Sequence, residues 1–223
     1  MDSKFMHTMP ECHASSRYKR RPALYFSFTQ LQSMAAASVH SETGVEAWEY
    51  SPSMLDEGDD PRLPHRRVPN CPVPLAHLHE LGVLTWKLDL EATSLLEQIR
   101  SERGYLYSEV LTLCRESTED FDAKVQGFFK EHTHSQEEVR FILDGSGYWD
   151  IRDFDGKWIR FAVGKGDMIV LPAGMSHRFT LDAKNYIKAL LLYTQYPHRT
   201  QHDKAIVHKH KNNLADNPAA RDE

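Results

Sequence analysis

Two blocks decide the reading of this chain: Gly127–Gly145, GFFKEHTHSQEEVRFILDG, and Gly166–His177, GDMIVLPAGMSH. The first offers His132, His134 and Glu138, and the second offers His177. Three imidazoles and one carboxylate suit a divalent first-row metal such as iron, nickel or manganese. The spacing has a physical basis. Residues i and i+2 of a strand point to the same face, so His132 and His134 can both face a barrel interior. Glu138 has the same parity, and a turn around 135–137 can return it to the same centre. Glu138, Arg140 and Ile142 then share one face, with Val139, Phe141 and Leu143 on the other. Gly145 and Gly147 mark the next turn. In the second block Met168–Leu171 reads as a strand and Pro172-Ala173-Gly174 as a tight turn. A new strand follows, carrying His177 and Phe179. Pro fixes φ at such a turn and Gly tolerates positive φ, which lets the turn swing His177 toward the other three.

Outward from these blocks, the chain from Phe121 is period-two and Gly-punctuated: VQGFF, VRFIL, YWDIRD, KWIRFAV, MIVL, HRFTL and YIKALLLY. Short strands with frequent turns predict an all-β barrel. Phe154-Asp155-Gly156-Lys157 reads as an Asp-Gly hairpin turn. Trp149 and Trp158 fall in barrel strands and read as core or rim. Upstream, VEAWEY from Val45 is a predicted strand, followed by an acidic loop through Asp56–Asp60. A short helix is expected at Leu75–Leu81, stopped by Gly82, and VLTWKLD reads as a strand. Apolar spacing predicts helices over Ala92–Arg103 and Tyr107–Arg115.

An HxH pair alone is weak evidence. HxHxxxE with Gly seven residues on, followed by G-x5-P-x-G-x2-H, is far more specific and resembles the two cupin motifs. Two departures stand out: Gly127 is one residue closer to the first His than usual, and Leu181 occupies a place where Asn is common. The segments EEVRFILDGSGYWDIRD, KWIRFAVGKGDMIVLPAGMSHRFTLD and NYIKALLLY resemble the acireductone dioxygenase family, as do VEAWEY, DPRLPH and LGVLTWKLD upstream. The resemblance covers Val45 to Tyr196. It implies a mainly β cupin (jelly-roll) barrel with a few short peripheral helices, and one Fe2+ or Ni2+ per chain held by His132, His134, Glu138 and His177. It implies an enzyme of methionine salvage, cytoplasmic and also nuclear. Its partners are then a small-molecule acireductone and O2. Such an enzyme cleaves 1,2-dihydroxy-5-(methylthio)pent-1-en-3-one to formate and 4-methylthio-2-oxobutanoate with iron. With nickel it gives formate, carbon monoxide and 3-(methylthio)propanoate. Arg140 would compensate substrate charge beside the metal. Phe128 and Phe179 flank the ligands and would wall the thioether chain. Two rival readings remain: another cupin metalloenzyme, and a non-catalytic cupin used for binding or regulation.

Length and composition set the outer bounds. At 223 residues the chain holds one domain with tails, and a hydrophobic fraction of 40% supports an ordinary core. A net charge of −5 gives no case for a nucleic-acid partner. No apolar run approaches the ~18 residues of a membrane span. Cys12, Cys71 and Cys114 are odd in number and scattered, which favours a reducing compartment. No motif argues for assembly, and a monomer is expected. The predicted domain is 45–196. Residues 1–44 are basic and Ser-rich, with Arg17, Lys19, Arg20 and Arg21 against Asp2, Glu11 and Glu42. That composition suits an organelle transit peptide, a poorly ordered extension, or an upstream start with Met34 the true one. Residues 197–223 read as a polar tail. Its His198, His202, His208 and His210 lack any framing acid or turn, so a solvated role is expected. His65, His77 and His79 are likewise read as structural or exposed.

Overall fold

A computed structural model of the protein describes residues 44–51 and 60–196, with the backbone alone of 207–208. The elements begin with β1 (Glu46–Glu49), β2 (Pro72–Val73), α1 (Leu75–Glu80) and β3 (Leu84–Lys87). There follow α2 (Ser94–Arg103), β4 (Tyr107–Cys114), α3 (Phe121–Phe128) and β5 (Glu138–Arg152). The chain continues through β6 (Trp158–Gly164), β7 (Asp167–Leu171), β8 (His177–Leu181), β9 (Tyr186–Tyr193) and β10 (Val207–His208). Residues 1–43, which the sequence leaves open between a transit peptide, a poorly ordered extension and an upstream start, lie outside the described residues, as do the acidic loop up to residue 59 and His198, His202 and His210. No helix among the described residues is long and apolar enough to cross a membrane.

Strand β5 belongs to two sheets. Its first part pairs antiparallel with β7 and β9, and its second part with β6 and β8. One sheet therefore runs β10-β4-β9-β5-β7-β3, and the other β8-β5-β6-β1-β2. The change of sheet occurs at a register shift between Ile142 and Asp144, followed by Gly145 at φ 76°. A Cβ at Gly145 would sit 2.3 Å from the Tyr186 carbonyl oxygen, so only glycine fits. Such a bulge bends a strand without ending it. The turn expected at Gly145–Gly147 is thus a bend inside one 15-residue strand, and VRFIL and YWDIRD are its two ends. The result is the cupin-type jelly roll expected from the motifs.

Strand alternation sorts the core into two layers. Ile142, Ile169 and Leu171 join Trp149, Ile151, Phe161, Leu181 and Ile187 in one cluster. Val139, Phe141, Met168, Val170 and Leu192 take the other parity and pack with Leu96 and Ile99 of α2. The Asp-Gly turn links β5 to β6 as expected, with the Gly156 N–H donating to Asp153 O at 3.0 Å.

Two elements differ from expectation. Tyr107–Arg115 is a strand, not a helix: β4 pairs with β9 at every residue from Tyr107 to Cys114. Its Leu and Glu content favours helix only weakly, and pairing plus burial of Leu113 overrides it. Conversely, VQGFF lies mostly within a helix. Phe121, Val125 and Phe128 recur at i, i+4 and i+7, and all three pack against the first cluster.

A buried charge cluster fastens the loop before β2 to the barrel. Asp150 accepts from Arg160 Nε (2.6 Å) and Nη2 (2.9 Å) and from Arg178 Nε (2.8 Å). Arg160 Nη1 donates onward to the carbonyls of Pro61 and Leu63.

Candidate metal centre

His132 and His134 sit on an extended segment between α3 and β5, not on a regular strand. That segment is bridged to the start of β8. The His132 N–H donates to His177 O and the His177 N–H to His132 O, both at 3.0 Å. The Gly174 N–H donates to His134 O at 2.8 Å, so the Pro-Ala-Gly turn touches the first motif directly. Glu138 opens β5 and pairs with Leu171 of β7. These contacts bring one donor atom from each of His132, His134, Glu138 and His177 within 4.8 Å of one another.

The imidazole orientations are set by the backbone. His132 Nδ1 lies 2.7 Å from Lys130 O, and His177 Nδ1 lies 2.8 Å from Met175 O. A carbonyl only accepts, so each Nδ1 carries the proton and each Nε2 presents its lone pair. His177 Nε2 is buried and 3.4 Å from Glu138 Oε2, yet it has no hydrogen-bond partner among the described residues. His134 Nε2 is 3.1 Å from the same oxygen. A buried nitrogen aimed at a carboxylate and two further imidazoles, with no partner of its own, is what a cation site requires.

Charge follows the same geometry. Burial pushes the Glu138 carboxyl up, but Arg140 and the imidazoles of His134 and His177 outweigh it and hold it well below the usual range. Burial and the neighbouring imidazoles lower His132. Burial also pushes His177 down, but the Glu138 carboxylate and the Met175 carbonyl more than reverse this and raise it. The carboxylate is therefore ionised and ready to accept a cation.

The sequence profile of the ARD/ARD' family matches residues 48–201. The chain belongs to that family. An acireductone dioxygenase of Rattus norvegicus is 48% identical over 168 residues, which cover 74% of this chain and 91% of the relative. A Sorghum bicolor relative described as a probable inactive acireductone dioxygenase 2 is also 48% identical, over 158 residues covering 70% of this chain and 87% of its own. Among solved structures, acireductone dioxygenase from Bacillus anthracis with a cadmium ion in its active centre matches at a TM-score of 0.50 and 26% identity. The match covers 56% of this chain and 88% of that one.

The four donors open onto a largely apolar pocket. The cavity is about 130 Å³ and is lined by Leu111, Phe128, Trp149, Phe179, Ile187 and Ala189 beside the three imidazoles, Glu138 and Arg140. Every site residue expected from the sequence reaches this cavity. Arg140 donates from Nη2 to Glu138 Oε2 (3.1 Å) and from Nη1 to Val139 O (2.9 Å). Phe128 and Phe179 meet edge to face at 6.3 Å.

Sequence reasoning missed four lining residues. Leu111 belongs to β4, whose apolar spacing also suits a helix. Ile187 and Ala189 share a parity on β9 that points inward only once β9 is paired. Trp149, read as core or rim, donates from Nε1 to Glu138 Oε1 at 2.8 Å. Two acids flanking the ligands were also missed. Glu131 accepts from Arg152 Nε and Nη2 and from Ser176 Oγ. Glu137 accepts from Arg103 Nη2 and Tyr105 Oη. Each clamps one end of the HTHSQEE segment to a neighbouring element.

Proposed function

We propose that this chain is a working acireductone dioxygenase, with His132, His134, Glu138 and His177 holding one Fe2+ or Ni2+. The observation that supports it most is the convergence of those four donors within 4.8 Å around a buried, unpartnered His177 Nε2. When bound, the divalent ion supplies Lewis acidity and a template for a chelating enediolate that reacts with O2. Three neutral imidazoles and one carboxylate leave the centre with net charge near +1, so an anionic enediolate is attracted to it. Four protein ligands on an ion that takes six would leave two positions for such a chelate.

The chain's own residues do the rest. Arg140 places a guanidinium at the cavity wall, where it offsets substrate negative charge. Phe128, Phe179, Leu111, Ile187 and Ala189 exclude water and accept the methylthio tail, at roughly 0.8 kcal/mol per buried methylene. The Lys130 and Met175 carbonyls hold two of the imidazoles in the binding tautomer.

The test is metal analysis of the purified protein, then product assay of iron-loaded and nickel-loaded samples separately. Iron should give 4-methylthio-2-oxobutanoate and formate, and nickel should give carbon monoxide, formate and 3-(methylthio)propanoate. Stoichiometric metal without oxygen uptake on the acireductone would support the non-catalytic cupin reading.

A further inference from the structure

We propose that Trp149 is a positioning residue that keeps Glu138 a one-oxygen ligand, so that two metal positions stay open to a chelating substrate. This rests on the ligand set proposed above. Glu138 and Trp149 are both buried, at 7% and 3% exposure. The indole N–H is the only polar atom of a Trp side chain, and it can only donate. Here it donates to Glu138 Oε1 at 2.8 Å. The other oxygen, Oε2, faces His134 Nε2 at 3.1 Å and His177 Nε2 at 3.4 Å. The two oxygens therefore do different work: Oε2 looks into the donor cluster and Oε1 is held away from it.

Turning Oε1 onto the metal as well would take the acceptor from a buried indole N–H, which is unfavourable. The indole cannot follow. Trp149 and Phe179 are cross-strand partners between β5 and β8, with ring centroids 4.3 Å apart. Phe179 in turn lies over Gly147, where a Cβ would come within 2.7 Å of its ring. The same strand pair carries His177 opposite Ile151, so the indole and this imidazole are set by one register. Coordination arithmetic gives the consequence. Three imidazoles and one oxygen leave two of six positions, whereas both oxygens of Glu138 would leave one. A substrate that binds through two oxygens needs the first arrangement. Hydrogen bonds that orient a metal ligand are typically worth about 10- to 100-fold in metal affinity or activity.

The test uses Trp149→Phe and, at the same position, β-(3-benzothienyl)alanine, which keeps the bicyclic shape and replaces N–H by sulfur. Ni2+ affinity is measured by competition with a chelator. On the Ni2+-loaded proteins, acetohydroxamate (which needs two adjacent positions) is titrated against azide (which needs one). Expected in both variants is that Ni2+ is still bound, with acetohydroxamate weakened relative to azide by about 10- to 100-fold. A sulfur analogue with an unchanged acetohydroxamate-to-azide ratio overturns the role of Trp149, even where Trp149→Phe is impaired, because ring volume alone then matters. A wild-type protein that takes up no Ni2+ overturns the ligand set and the proposal together.

Discussion

Replacing Asp150 by Ala removes the acceptor at the centre of the buried charge cluster. Asp150 and Arg160 have no exposed side-chain surface, and the Arg178 side chain is 13% exposed. The substitution leaves Arg160 Nε and Nη2 and Arg178 Nε without the carboxylate that now accepts from them at 2.6–2.9 Å. Arg160 keeps the Pro61 and Leu63 carbonyls through Nη1, so its charge is not bare. Breaking one side of a buried pair costs about 3–5 kcal/mol. For a domain of about 150 residues each kcal/mol moves Tm by about 2–4 °C, so Asp150→Ala should lower Tm by about 6–20 °C. Calorimetry on metal-free protein measures this without stabilisation by bound ion. The double variant with Arg160→Met removes both members of the pair and should be less destabilised than the sum of the single changes, by about 1–3 kcal/mol. A Tm drop under about 3 °C in Asp150→Ala, or strictly additive single effects, would refute the view that this cluster fastens the 60–66 loop to the barrel.

His134→Ala should remove most bound metal while leaving the far-ultraviolet circular dichroism intact; near-stoichiometric metal in that variant would show the ligand set to be wrong. Arg140→Met should retain metal and lower kcat/KM by about 10- to 150-fold, the worth of one charge-assisted hydrogen bond felt in the transition state. Arg140→Lys should fall between it and wild type, because the charge survives but the planar fork does not; wild-type kinetics with Met at this position would leave Arg140 a structural partner of Glu138. Hydrogen bonds from Arg152 and Ser176 hold the Glu131 carboxyl down to about 2, against 4.5 ordinarily. Its stabilisation is therefore fully present above pH 4.5 and lost as pH falls toward 2. Glu131→Gln should flatten that limb of the pH–stability curve by under about 1 kcal/mol, since the pair is largely exposed; an unchanged limb in acid titrations monitored by fluorescence would remove Glu131 as a clamp.

Much of the donor set was legible because it is written in local spacing. His132 and His134 are two apart, Glu138 four further on, and Pro172 and Gly174 stand just ahead of His177; chain geometry alone keeps such residues near one another or turns them. The parity of Glu138, Arg140 and Ile142 was legible for the same reason, since a strand alternates faces whatever it packs against. Other features had no local signature. Tyr107–Cys114 carries residues acceptable to helix and strand alike, and only its full-length pairing with β9 decides. Gly145 looked like the end of a strand, and only the crowding of Tyr186 against it shows a bend between two sheets. The link from Trp149 to Glu138 spans 11 residues of one strand across that bend. Covalent spacing thus determined which side chains could form the centre. Which oxygen of Glu138 faces the imidazoles, and which is held back, was decided by strand register, and register is set by packing between residues far apart in the chain.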